Sequence, residues 1–123
     1  MNRFDKYIIY FGTACFAALL YFASSNARGE TLISRSGADY VRLFDTPCSS
    51  NEVLLGLDEE GRKAGVPPAA IADVLSRLRN GEAGLDGKVY KMCWLDFGPF
   101  YGLFYDDGDR GQVPTELFQP EAL

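Results

Sequence analysis

The chain has 123 residues, with 12 Lys and Arg against 17 Asp and Glu, and it contains no His. That length allows one domain, and a formal charge of −5 disfavours nucleic acid and anionic lipid headgroups as partners. Without His, a Ser-His-Asp or Cys-His catalytic site is excluded, as is His ligation of zinc.

Arg3 and Lys6 outweigh Asp5 at the start, and Tyr7 to Ala23 then runs without a charge. Ser25 and Ala27 stand where a signal peptidase requires small residues, so residues 1–27 read as an export signal and residues 28–123 as the exported domain. The apolar run also reaches the lower limit for a spanning helix, which makes an uncleaved inner-membrane anchor the alternative. Either way the positive start stays in the cytoplasm and the domain crosses, to a periplasmic or secreted location. Past residue 27 there remain ten Lys and Arg against sixteen Asp and Glu, a balance that suits a basic partner or simply solubility.

Two cysteines remain in the exported part, Cys48 and Cys93. An even pair in a small exported domain is most simply a disulfide, worth about 4 kcal/mol by loop entropy. A redox pair would come as Cys-x-x-Cys so that one thiol resolves the other, and this spacing does not provide it.

Arg28 to Ser36 is polar with one apolar pair, Leu32-Ile33, and reads as a short edge strand or a loose segment. Tyr40 to Phe44 is a β-branched and aromatic run, stopped by Pro47. Ser49-Ser50-Asn51-Glu52 fits a capping box with Ser49 as the cap, opening a helix of one or two turns that Gly56 and Gly61 weaken. Ile71, Val74, Leu75 and Leu78 then share one stripe of a helix spanning roughly 67–80, with Pro67-Pro68 at its start and Gly81 at its end.

Leu85-Asp86-Gly87-Lys88 turns into the aromatic stretch from Lys88 to Phe118, which reads as a β-meander. With Phe97 and Gly98 at the tip of the central hairpin, Trp94 faces Tyr101, Met92 faces Leu103 and Tyr90 faces Tyr105 on one side. Cys93 and Leu95 lie on the other side, where the helix stripe is expected to pack. Tyr90, Met92, Trp94, Tyr101 and Tyr105 are therefore either core or an aromatic recognition surface, since Trp and Tyr give rigid contact area with a polar tip.

Asp107 and Asp109, flanking Gly108, are the weak candidates for a metal site. A calcium loop of the EF-hand type wants a third ligand and a closing Glu where this chain has Gly111 and Phe118, so the cluster reads first as a turn. No cofactor motif is present. Asp/Glu-dependent cleavage of cell-wall glycan would need a carboxylic acid of raised pKa inside a cleft, and a turn tip offers solvent instead.

Three segments, Val41-Arg42-Leu43 leading to Pro47-Cys48, Asp86-Gly87-Lys88-Val89-Tyr90 leading to Cys93-Trp94, and Asp107-Gly108-Asp109 leading to Val113-Pro114 and Phe118, form a set. In this set the chain resembles small exported proteins of unassigned function from proteobacteria and their phages. The resemblance implies a secreted domain whose two cysteines pair, and it carries over no catalytic residue.

The expected fold is thus α+β: a small antiparallel sheet of three or four strands, one main helix on one face and one disulfide, preceded by the signal or anchor helix. The expected function is a non-catalytic binding module of the bacterial cell envelope, of the kind an inhibitor or exclusion factor would be. Its partner would be an envelope protein or glycan, with membrane contact only through an uncleaved N-terminal segment. A membrane-anchored structural subunit and a cell-wall hydrolase are the alternatives.

Overall fold

The computed structural model describes residues 30–121. The expected export signal, its cleavage site and the start of the exported domain lie outside them. Among the described residues no helix is long and apolar enough to cross a membrane.

Among the described residues seven strands form one antiparallel sheet: β1 Leu32–Ser36, β2 Asp39–Pro47, β3 Arg79–Leu85, β4 Lys88–Asp96, β5 Phe100–Tyr105, β6 Arg110–Pro114 and β7 Gln119–Pro120. Their order across the sheet is β6-β5-β4-β3-β2-β1-β7. Two helices, α1 Asn51–Lys63 and α2 Pro68–Arg77, are inserted between β2 and β3. A 3-10 turn over Thr115–Leu117 leads into β7, which returns the chain to the edge of β1.

Alternation along the strands divides the core in two. Cys93, Leu95 and Phe104 point to the face that α1 and α2 cover with Val53, Leu57, Ile71 and Val74, joined by Leu78 just past the end of α2. Met92, Trp94, Tyr101 and Leu103 point to the other face, where they pack with Leu32 of β1 and Val113 of β6. Strands near opposite ends of the sheet share that second cluster because the sheet curls into a half-barrel whose inner wall packs against itself.

The expectation of three or four strands and one main helix is therefore corrected to seven strands and two short helices. The added strands carry weak local signals. β3 is Arg-Asn-Gly-Glu-Ala-Gly-Leu, with two glycines and no β-branched residue. Its glycines serve close approach, since a Cβ on Gly84 would overlap the Tyr40 ring and one on Gly81 would come within 2.7 Å of Met92 Sδ. The second helix is shorter than expected because Leu78, fully buried, turns to extended backbone and its carbonyl accepts the Cys48 N–H at 2.9 Å.

The first helix is longer, at 13 residues. Its buried Val53, Leu57 and Gly61 fall four apart on one stripe, and the pairs Asp58–Arg62 and Glu59–Lys63 support its exposed side. Glu60 reaches Arg110 of β6 at 2.7 Å and ties the helix to the sheet. Its cap is Ser50, whose hydroxyl accepts the Val53 N–H, and not Ser49, which is held by Asn80.

The central hairpin keeps the expected faces but shifts its partners by two residues. Trp94 lies opposite Leu103, and Met92 opposite Tyr105. The loop is Gly98-Pro99, closed by Phe97 N–H donating to the Phe100 carbonyl, and Gly98 takes the positive φ of 93° that this tight turn demands. A slip of two preserves the side of every residue, as a slip of one would not. Cys48 and Cys93 are joined in a disulfide with Cα atoms 5.6 Å apart.

Candidate functional site

The aromatic set expected as core or recognition surface splits. Met92, Trp94 and Tyr101 are buried at 2, 6 and 1 % exposure, Tyr105 is half-buried, and only Tyr90 is exposed. As a recognition surface the set is corrected. Its face is the inner wall of the curled sheet, and Phe118 closes it by meeting the Tyr101 ring edge-on at 5.0 Å. The Trp94 indole N–H is shared between the carbonyls of Phe44 and Asn80, each at 2.9 Å, so its polar tip is satisfied inside the protein.

Asp107 and Asp109 stay together at the β5–β6 turn, where Asp107 Oδ1 accepts the Asp109 N–H at 2.9 Å. This is the local bond by which Asp stabilises a turn. Among the described residues no group of three or more Cys, Asp or Glu side chains is placed to hold a metal ion.

The outer face offers a different site. The helices cover its Cys93 and Leu95 half and leave the half that carries Tyr40, Arg42, Glu82 and Lys91 open. At the boundary lies a groove of about 360 Å³. One end is Phe44 and Thr46 of β2, the floor is Asn80, Glu82 and Lys91, and the far wall is Ser49, Ser50 and Glu52 at the start of α1 with Asp106. Its volume falls in the range of about 300–1,000 Å³ typical of small-ligand sites.

Asn80 fixes the wall. Its amide donates to Thr46 Oγ1 at 3.1 Å and to the Pro47 carbonyl at 2.8 Å, and its oxygen accepts from Ser49 N at 2.9 Å and Ser49 Oγ at 3.2 Å. The adjoining disulfide and the Cys48 N–H bond to Leu78 hold the same segment from below. Ser50 Oγ donates to Asp106 Oδ1 at 2.6 Å, which draws the β5–β6 turn against the helix start, where a carboxylate is favoured by the helix dipole.

Beside the groove, Arg42 grips two carboxylates. It donates to both oxygens of Glu121 at 2.8 Å and to Glu82 at 2.9 Å, and it lies 4.9 Å from the Tyr40 ring centre. The hydrogen bond from Arg42 draws the Glu121 carboxyl below its usual range, and that same bond raises the guanidinium further. Tyr40 donates to Glu82 at 3.0 Å, and this bond, followed by burial, raises the phenol.

The groove is assembled from β2, the start of α1, β3, β4 and the β5–β6 turn, of which the sequence marks β2 and β4 as strands, the helix cap and the turn, but not as one site. Asn80, Glu82 and Lys91 belong to no local motif, Asp106 reads as part of the acidic turn, and the Asn80-Gly81 pair reads as a helix end. Known protein families, curated proteins and solved structures provide no match to this chain.

Proposed function

We propose that the domain is a non-catalytic binding module of the bacterial cell envelope, and that it meets a partner protein at the groove beside the start of α1. The observation that carries this reading is the fixed wall: Asn80, the disulfide and the Ser50–Asp106 bond hold it in place before any partner arrives. A preformed surface avoids the ordering cost of association. Glu82 serves as an acceptor for Arg42 and Tyr40, and Asp106 for Ser50, which are roles in positioning rather than in proton transfer. Export is supported by the sequence layout and fits the presence of a disulfide.

The test places a photoreactive residue at exposed Glu52 in the groove wall, with Arg62 at the opposite end of α1 as control. In the exported full chain, position 52 should crosslink one envelope protein and position 62 should not. Equal labelling from both positions would overturn the reading.

A further inference from the structure

Strand β4 runs past its neighbour. The β4–β5 ladder ends at Met92 opposite Tyr105, so among the described residues Lys88 to Lys91 have β3 on one side and no strand on the other. All four residues are exposed, Val89 at 62 % and Tyr90 at 38 %. Antiparallel ladders direct both backbone groups of alternate residues to the same side. The Lys91 carbonyl points toward β5, since the Asp106 N–H approaches it at 3.5 Å. By the same alternation the Val89 N–H and C=O point to the side on which no described strand lies. An unpaired edge beside exposed apolar side chains is the element to which a peptide adds as a further strand.

The shape of the notch and the charges at its closed end specify what fits. Continued beyond Tyr105, the line of β5 is blocked by the turn at Asp106 to Asp109, so a strand laid against β4 must end there. That stop presents three Asp side chains, and among the described residues none of them is ion-paired with Lys or Arg. We infer that the free edge of β4 accepts an extended segment of the partner protein, running antiparallel to β4, with a free amino terminus or a basic side chain against the Asp106 to Asp109 turn. The inference rests on the reading of the domain as a binding module and names the chemistry of its partner. Lys91 and Asp106 also line the groove, so the added strand would continue the same surface.

The probe is a pentapeptide of alternating valine and threonine that begins with a free amino-terminal lysine. Titrated into the isotopically labelled full chain, it should shift the amide resonances of Val89 and Lys91. Methylating the peptide nitrogen that faces Val89 should weaken binding about tenfold, as loss of one hydrogen bond predicts. Replacing the lysine with acetyl-glutamate should weaken it further at low salt and less at high salt. Val89→Pro removes the edge donor without touching the β3 ladder, and should melt close to the parent while losing the peptide. Should the ring disturb the fold, the methylated peptide on the unaltered protein decides alone.

Undiminished binding of the methylated peptide, or no shift at residues 88–91, would overturn the proposal. So would a concentration-dependent dimer that Val89→Pro makes monomeric, because the edge would then belong to a second copy. Selective crosslinking from position 52 that survives Val89→Pro, with no peptide shift, would leave the groove reading standing and remove strand addition alone.

Discussion

Trp94 fills the inner wall and also ties β4 to the carbonyls of β2 and β3. Removing it should therefore cost on two counts. Trp94→Ala leaves a cavity under Tyr101, whose ring meets the indole edge-on at 5.3 Å, and should destabilise by about 3–5 kcal/mol in urea unfolding. Trp94→Phe keeps most of the volume and removes the donor shared by the Phe44 and Asn80 carbonyls, at about 1–3 kcal/mol. Because it is the only Trp, its emission should be blue-shifted and shielded from acrylamide in the native chain and red-shifted in urea. Emission resembling free indole in the native protein would contradict this placement. The alternation of Tyr90, Met92 and Trp94 shows that they share a side, but it cannot show whether that side meets water. The curl of the sheet settles this, through Leu32 and Val113 brought together from opposite ends.

Strand β3, Arg79 to Leu85, forms against its own local propensity. Propensity would improve if Gly84 became Val, yet the Tyr40 ring lies where the new Cβ would be. The ring would have to leave, losing its bond to Glu82 and its contact with Arg42. Gly84→Val should accordingly destabilise by about 1–3 kcal/mol despite the better strand former, and a variant melting above the parent would refute the packing account. This conflict explains what could be read beforehand. β2, β4 and β5 carry β-branched and aromatic runs, and α2 carries an apolar stripe, so each announces itself locally. β1, β3, β6 and β7 are short, polar, glycine-bearing or proline-ended, and they become strands because a neighbour offers a ladder. The groove was illegible for the same reason: Thr46, Asn80, Glu82, Lys91 and Asp106 meet only after every strand is in register.

For the whole molecule, two long-range ties hold the sheet against the entropy of the chain. The disulfide closes the loop that contains both helices, so Cys48→Ser should lower stability by about 4 kcal/mol in urea unfolding, and reductant should lower the parent similarly. The second tie is electrostatic: Arg42 of β2 holds Glu121 just beyond β7, where the Glu121 N–H also donates to the Thr31 carbonyl at 2.8 Å. Its signature is a pH dependence of definite sign. The folded carboxyl is held below the ordinary Glu value by the Arg42 hydrogen bond, so the unfolded chain takes up its proton first as the solution is acidified. The stabilisation is complete above the unfolded Glu pKa of about 4.3 and is lost as pH falls through the lower folded value. Glu121→Gln should thus melt below the parent at pH 7, and the difference should close progressively on acidification below about pH 4.5. The chain has no His, the side chain that ordinarily titrates between about pH 5 and 8, so the gap should stay nearly constant across that interval. Melting curves of both proteins from neutral to acid pH check the prediction, and a gap of unchanged size in acid would show that Glu121 acts through packing rather than through charge.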